Sequence, residues 1–363
     1  MHIALIAPPF IPVPPVAYGG TELFIAHLAE ALTDAGHRVT VYTNGESTVR
    51  AEVKWRYRRA QWPIKDHASA QLLNSDHTAW AIRDAARTAD IIHVNDIVGV
   101  PLATFIDVPM VHTLHHPHEP VLSQQYQRYP DVQYVAISAF QAKQEPMRGI
   151  QIVHHGLPLE QYTFRREKDG YLAFLGRMAP CKGPHLAIEA ARRAGMPLKL
   201  AGEIQPVFHE YWEKEVAPRL GGDIEYVGEV GPMEKNELLS RARALLFPIQ
   251  WNEPFGLVMI EAMACGTPVL AFDGGSVSEI VKNGVSGWIC ADVEDMAARA
   301  ASCSIPADTC RAWADDRFSC ERMMEGYVRV YERALTRSVS SAAWSAAEEL
   351  EPTARRRGDA WKM

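Results

Sequence analysis

Short apolar runs alternate with longer amphipathic segments along most of the chain. Runs such as His2–Ala7 and Ala244–Phe247 consist almost entirely of apolar residues, which is typical of parallel strands covered on both faces. Residues 53–63 alternate apolar with charged positions, which predicts a strand with one face in water. The predicted strands are 2–7, 38–43, 53–63, 90–96, 109–113, 132–136, 152–154, 171–175, 198–201, 223–227, 244–247, 268–272 and 288–290.

The segments between these strands predict helices, because apolar positions recur in them at helical spacing and glycine or proline follows several of their ends. Thr21 is a candidate N-cap of the first helix, and Gly36 a candidate end. The predicted helices include 72–88, 184–194, 234–242, 294–302 and 308–336, with one that starts at Ser138 and one that follows Gly256.

Strands that alternate with helices predict an α/β protein with parallel sheets and helices on both sides of each sheet. The pattern restarts near residue 151, so we expect two Rossmann-like domains whose parallel sheets face each other across a cleft. We assign residues 1–158 to the first domain and 165–312 to the second. The polar stretch 338–363 is expected to be a flexible tail.

The composition narrows the class of partner. With a formal net charge of −7 and a pI near 6.1, the chain is not expected to bind nucleic acid. Six cysteines without a C-x-x-C pair favour a reducing compartment, so we expect a cytoplasmic location. No apolar run reaches transmembrane length, and peripheral membrane contact stays open.

The stretch from Asn252 to Glu261 carries the clearest chemistry. Gly256 lets the backbone approach a ligand closely, and the helix that follows it presents free N–H groups and the positive end of its dipole. Such a helix start suits a diphosphate. The carboxylates of Glu253 and Glu261 suit a ligand that also carries hydroxyl groups, because carboxylates accept hydrogen bonds from them.

Two further loops lie where open α/β sheets place ligands. Gly19 and Gly20 follow the first strand, and the alternative is a tight turn that only needs glycine. Arg177 and Lys182 follow the first strand of the second domain and offer two cations to a diphosphate. Here the alternative is two solvated loop charges.

The motifs Gly176-Arg177-x4-Lys182-Gly183 and Glu253-x7-Glu261 resemble those of the retaining glycosyltransferases of family 4, and the resemblance runs from residue 1 to about 336. It implies the two-domain GT-B fold, in which the C-terminal helix, about 313–336, crosses back to the first domain. The implied activity is transfer of a sugar from a nucleotide-diphosphate donor with retained anomeric configuration. No metal and no cofactor are implied beyond the nucleotide-sugar co-substrate, a UDP-sugar by default and a GDP-sugar as the alternative.

The resemblance also implies roles for individual residues. Arg177, Lys182 and the Gly20 amide would hold the diphosphate, and Glu261 would bind the ribose hydroxyls. Glu253 would contact the donor sugar, and the segment around Val230 would pack against the base. The backbone N–H groups that would face the sugar and the phosphates are those of Phe255, Gly256 and Leu257. The acceptor is left open as a small molecule, a glycan or a lipid-linked compound, to be selected by loops of the first domain.

Four histidines cluster at positions 112, 115, 116 and 118. Metal binding is disfavoured because Pro117 prevents a regular helical face and no cysteine lies nearby. The family places a histidine here, close to the reacting centre. We assign His115 to that role, alongside Glu253, and keep His112 in reserve. The alternative is a set of loop histidines without a role.

Two other functions are compatible with the same motifs. One is an enzyme of another class on this architecture, such as a nucleotide-sugar epimerase. The other is a non-catalytic nucleotide-sugar-binding protein, which the presence of Glu253, Glu261, Arg177 and Lys182 argues against. Glu279, after a glycine pair, is expected to cap or pair at a helix start.

Overall fold

A computed structural model describes residues 1–16, 19–64 and 66–349, with side chains described to residue 337. Its strands form two parallel sheets, one in each half of the chain, which confirms the predicted α/β class. The strands are β1 His2–Ile6, β2 Arg38–Thr43, β3 Glu52–Trp55, β4 Ile91–Val94, β5 Met110–Leu114, β6 Gln133–Ala136, β7 Gln151–Ile152, β8 Leu172–Leu175, β9 Leu198–Ala201, β10 Ile224–Gly228, β11 Ala244–Phe247, β12 Val269–Phe272 and β13 Gly287–Cys290.

Helices cover both faces of each sheet. They are α1 Gly20–Asp34, α2 His67–Ala85, α3 Pro120–Gln127, α4 Ala139–Gln144, α5 Pro184–Ala194, α6 His209–Tyr211, α7 Pro232–Arg241, α8 Leu257–Ala264, α9 Val277–Ile280, α10 Val293–Ser302, α11 Ala307–Arg317 and α12 Cys320–Glu349. A 3₁₀ segment at Ile97–Phe105 and the helix α3 were not predicted. The predicted Thr21 cap is wrong, because α1 begins at Gly20 and has no side-chain cap.

The first sheet has the order β3-β2-β1-β4-β5-β6-β7. Ile3 and Leu5 of β1 pack in the core beneath α1 and α12, while Ala4 and Ile6 pack beneath α2. This two-residue period explains why the strand is apolar on both faces. The strand order reverses between β1 and β4, so the loops that follow these two strands open a crevice at the carboxyl edge.

The second sheet has the order β10-β9-β8-β11-β12-β13. Its order reverses between β8 and β11, which pair in parallel through Ala244 and Leu245. The loop after β8 carries Arg177 and Lys182, and the loop after β11 carries Glu253 and Gly256. The two loops with the strongest motifs therefore flank one crevice.

The chain crosses between the two cores twice, and the crossings run side by side. Phe318 packs in the core of the second sheet, and Cys320 in that of the first. Between them, Ser319 forms a parallel bridge with Leu157, which lies on the outgoing crossing. Gly156 permits this contact, because a Cβ there would lie 2.2 Å from the carbonyl oxygen of Ser319.

This crossing corrects one prediction. The single helix expected over 308–336, which included the crossover helix at about 313–336, is divided into α11 and α12. Only α12 packs on the first core, through residues such as Tyr327 and Tyr331. Residues 338–349 continue α12, and the flexible tail over 338–363 stays a prediction. Residues 350–363 lie outside the described part of the chain. The domain limits at 158 and 165 stay predictions.

Glu279 joins the two halves. It lies on α9, and its carboxylate accepts hydrogen bonds from the backbone N–H groups of Ala139 and Phe140, at 2.7 and 2.6 Å, at the start of α4. His154 Nε2 lies 3.1 Å from the same carboxylate. Burial alone would raise the pKa of Glu279, but these hydrogen bonds outweigh it and hold the pKa below its ordinary value.

Replacing Glu279 with alanine is expected to weaken the contact between the halves, because two N–H groups and an imidazole lose their acceptor. Each hydrogen bond to a charged group contributes about 1.5–3 kcal/mol, so we expect a lower melting temperature. Hydrogen exchange should also quicken at Ala139 and Phe140. The exposed Glu294→Ala is the control, since among the described residues Glu294 pairs only with Arg193, at 3.9 Å. Unchanged exchange at α4 would contradict the role of Glu279.

Candidate active site

Lys182 and Glu253 meet at the crevice of the second sheet. Lys182 Nζ lies 2.5 Å from Glu253 Oε2, and both side chains are largely buried. Lys182 ends a 3₁₀ turn after β8, whereas Glu253 lies in the loop after β11. The pairing follows from the adjacency of these strands. The structure thus brings together a predicted phosphate cation and a predicted sugar-binding carboxylate.

Trp251 contacts both Lys182 and Glu253. Its Nε1–H donates to Glu253 Oε2 at 3.0 Å, and Lys182 Nζ lies 4.6 Å from the centre of its indole ring. Both partners of Glu253 use the same oxygen. Among the described residues, none bonds to Glu253 Oε1, so this oxygen is available to a ligand. The role of Trp251 was missed, because a tryptophan in a loop carries no sequence signal of its side-chain partner.

The start of α8 presents free donors to the same space. Gly256 has a φ of 80°, and a Cβ there would lie 2.7 Å from Met259 Cε. Within the described chain, the backbone N–H groups of Phe255, Gly256 and Leu257 donate no hydrogen bond. Leu257 also faces the first domain, since its Cδ1 would lie 3.7 Å from a Cβ built on Gly20. The predicted Gly20 loop and the α8 N-terminus therefore lie against each other.

Arg177 adds a second cation on the β8 side. Its Nη1 donates to Gln205 Oε1 at 3.4 Å, and Gln205 in turn donates to Glu203 at 2.9 Å. Its Nε–H is buried and has no hydrogen-bond partner among the described residues. A buried guanidinium N–H without a partner is costly, so this donor is open to a bound anion.

Glu261 lies on α8, and its carboxylate is almost fully buried. Lys235 of α7 forms an ion pair with its Oε1, and Tyr162 OH donates to the same oxygen at 3.2 Å. Lys235 follows Val230 along the chain, so the segment predicted to meet the base leads directly into this pair. Lys235 and Tyr162 were missed, because both come from elements far from Glu261 in sequence.

His115 lies just beyond β5, with its Nε2 at 2.9 Å from Asn95 Oδ1. Its ring stacks on His155 at 5.9 Å between centroids. Burial lowers the pKa of His115 well below its ordinary value, and His155 adds to this shift. His115 is therefore neutral near pH 7, with the Nε2 hydrogen donated to Asn95. Its Nδ1 is then a hydrogen-bond acceptor.

The reserve candidate, His112, lies inside the first sheet. It is 1% exposed, and its Nδ1 lies 3.0 Å from the carbonyl oxygen of Val94. Its surroundings are the rings of Tyr126 and Tyr134. Which histidine is functional stays a prediction.

Among the described residues, no group of three or more His, Cys, Asp or Glu side chains is placed to hold a metal ion.

Two family models match the chain on either side of the crossing. The model described as Glycosyltransferase Family 4 matches residues 18–146, and the model described as Glycosyl transferases group 1 matches residues 160–309. The chain is a glycosyltransferase of the family 4 type. The first matched segment contains Gly20 and His115, and the second contains the Lys182–Glu253 and Lys235–Glu261 pairs.

Relatives and solved structures agree with this assignment. The glycogen synthase of Mycobacterium tuberculosis (strain CDC 1551 / Oshkosh) is 28% identical over 344 residues, covering 78% of this chain and 82% of that protein. AviGT4, a glycosyltransferase involved in avilamycin A biosynthesis, is 25% identical with a TM-score of 0.70, covering 92% of this chain and 98% of its own. Anabaena HepE, solved in complex with UDP and glucose, has a TM-score of 0.72 at 18% identity, covering 92% of this chain and 100% of its own. These likenesses confirm the GT-B fold of the glycosyltransferase.

Among its described helices, none is long and apolar enough to cross a membrane.

Proposed function

We propose that this glycosyltransferase moves a sugar from a UDP-sugar to a hydroxyl acceptor, with retention of configuration and without a metal ion. The observation that carries the proposal is the Lys182–Glu253 pair beside the free N–H groups at the start of α8. A cation and unpaired donors suit a diphosphate, and a carboxylate with one free oxygen suits a sugar. The complex of HepE with UDP and glucose supports the choice of a uridine donor.

Donor binding replaces the contact between Lys182 and Glu253 with contacts from each residue to the donor. The diphosphate takes Lys182 and completes the unpaired Nε–H of Arg177, while the N–H groups of Phe255, Gly256 and Leu257 face its oxygens. Glu253 then turns its carboxylate to the sugar hydroxyls, and Glu261 presents its own to the ribose. The Gly20 amide reaches the diphosphate from the first domain. The site is complete only when the two sheets face each other closely.

The chemistry follows from the charge that develops. The bond between the anomeric carbon and the diphosphate oxygen breaks, and its electron pair stays on that oxygen. Arg177, Lys182 and the α8 N-terminus stabilise this charge in place of a divalent ion. The acceptor oxygen bonds to the oxocarbenium-like carbon on the face that the diphosphate leaves, and the acceptor proton moves to a phosphate oxygen. Neutral His115 accepts or orients a hydroxyl beside this centre.

The acceptor side belongs to loops of the first domain. We propose a small-molecule, glycan or lipid-linked acceptor, with peripheral membrane contact in the last case. The six cysteines are free thiols, which supports a reducing, cytoplasmic location.

Hydrolysis of the donor with water as acceptor tests the proposal without knowledge of the natural acceptor. The enzyme is incubated with UDP-glucose, UDP-galactose, UDP-N-acetylglucosamine or GDP-mannose, and proton NMR records which sugar anomer appears first. We expect the α-anomer from an α-linked donor, at a rate that excess EDTA leaves unchanged. First release of the β-anomer would refute retention, and loss of turnover in EDTA would refute metal independence. An epimerised nucleotide sugar would refute transfer.

A further inference from the structure

Both hydrogen-bond partners of Glu261 use one of its two oxygens. Lys235 Nζ and Tyr162 OH meet at Oε1, the latter at 3.2 Å. Among the described residues, no group bonds to Oε2. The carboxylate is thus fixed at one oxygen and has an unused acceptor at the other.

Burial makes this fixation necessary. The Glu261 side chain is 5% exposed and that of Lys235 is 20% exposed, so neither charge is well hydrated. A buried carboxylate that loses its only cation is strongly disfavoured and turns or takes up a proton. Either change alters the hydrogen bonds that Oε2 can accept. The acceptor strength and direction of Oε2 therefore depend on Lys235.

The two partners come from the elements that enclose the carboxylate. Lys235 lies in α7, directly after the segment around Val230 that is expected to meet the base. Tyr162 follows the crossing from the first domain to the second. Burial lowers the pKa of His27 in α1 to about 4, while the charge of Glu261 acts to raise it and that of Lys235 to lower it. The helix that follows the base segment and the chain that follows the crossing thus meet at Glu261.

We propose that Lys235 and Tyr162 are positioning residues that aim Glu261 Oε2 at the ribose of the donor, and that this pair sets the preference for ribonucleotides over deoxyribonucleotides. The inference rests on the proposed nucleotide-sugar donor. It assigns to Lys235 a role through Glu261, without direct contact with the nucleotide. Its effect must therefore be smaller when the 2′-hydroxyl of the ribose is absent, which would not follow from a purely electrostatic attraction for phosphate.

The test is isothermal titration with UDP and 2′-deoxy-UDP, and with GDP and 2′-deoxy-GDP, using whichever base binds more tightly. We expect the wild type to bind the ribonucleotide at least about tenfold more tightly, as for a hydrogen bond to a buried charge. Lys235→Met should reduce this ratio to about threefold or less, mainly by weakening the ribonucleotide. Tyr162→Phe should reduce it in part, and Lys235→Arg should restore most of it.

Lys199→Met is the matched control. Lys199 is a partly buried lysine of the same domain, with its Nζ over the ring of Tyr171 at 4.7 Å. This variant should leave the ratio unchanged. Equal weakening of both nucleotides by Lys235→Met, or an unchanged ratio in a variant that retains the wild-type circular dichroism, would overturn the inference. If the wild type binds none of the four nucleotides, the proposed donor itself is wrong.

Discussion

Lys182→Met is expected to lower kcat by roughly 10²- to 10³-fold, the loss seen when one preorganised donor to a developing charge is removed. Methionine keeps the length and the apolar stem of lysine, so the contact with the Trp251 ring is retained in part. The ammonium is absent from the diphosphate as negative charge develops on it. The effect should appear at saturating donor, because the lost interaction strengthens in the transition state. Initial rates of UDP release over a range of donor concentrations measure it.

Glu253, the partner of Lys182, provides a second test of this prediction. Without its cation, Glu253 keeps only the Trp251 N–H, and a buried carboxylate in that state opposes the diphosphate. The double variant Lys182→Met/Glu253→Gln should therefore lose less than the product of the two single losses. Lys199→Met controls for the removal of a lysine from this domain. A kcat for Lys182→Met within about threefold of wild type would exclude the assigned role. So small a change in rate would mean that Lys182 does not stabilise the charge on the leaving group.

The strand pattern predicted most of the fold because most sheet strands, such as β1, β4 and β11, are buried on both faces. The predicted elements are wrong where the local residue pattern and the actual strand pairing differ. Residues 53–63 alternate as a strand should, yet β3 ends at Trp55, since it is an edge strand with no further partner. The break between α11 and α12 was missed because Ser319 leaves the helix to bridge Leu157, a contact that no local signal shows.

The same limit applies to the candidate site. Glu253, Gly256 and Glu261 lie on one continuous stretch, so their chemistry is visible in the sequence. The partners that fix them depend on which strands and helices become neighbours. Lys182 reaches Glu253 only because β8 pairs with β11, and Lys235 reaches Glu261 only because α7 packs on α8. Before the strand order was known, Arg177 and Lys182 could equally have been solvated loop charges without a ligand.

Acidification from pH 7.0 to 5.5 is expected to destabilise the protein. Four histidines are almost fully buried, and burial lowers the pKa of His77 to about 4 and of His93, His112 and His155 to about 3. The folded protein keeps them neutral, whereas the unfolded chain protonates them below about pH 6.5. Their contribution to stability is complete above pH 6.5 and is lost as the pH falls towards the folded values.

The size of the effect follows from linkage. Each such histidine costs about 1 kcal/mol of unfolding free energy between pH 6.5 and 5.5. Glu22 acts in the opposite direction, because burial raises its pKa to about 7 and the folded state gains a proton first, which offsets about one histidine. For these four histidines a net loss of about 3 kcal/mol remains, against a total stability of about 5–15 kcal/mol for ordinary domains. His27 and His115 add to this loss, because burial also lowers their pKa.

Urea denaturation at pH 7.0, 6.5, 6.0 and 5.5 measures this loss, and a histidine variant identifies its source. His93 bridges Tyr331 OH and Thr113 Oγ1 at 2.9 and 2.8 Å, so His93→Gln keeps hydrogen-bonding groups but cannot titrate. It should be less stable at pH 7 yet show a flatter pH dependence, by about one proton. His209→Gln, at an exposed histidine, should leave the slope as in the wild type. Equal unfolding free energies at pH 7.0 and 5.5 would contradict the lowered pKa values of the buried histidines.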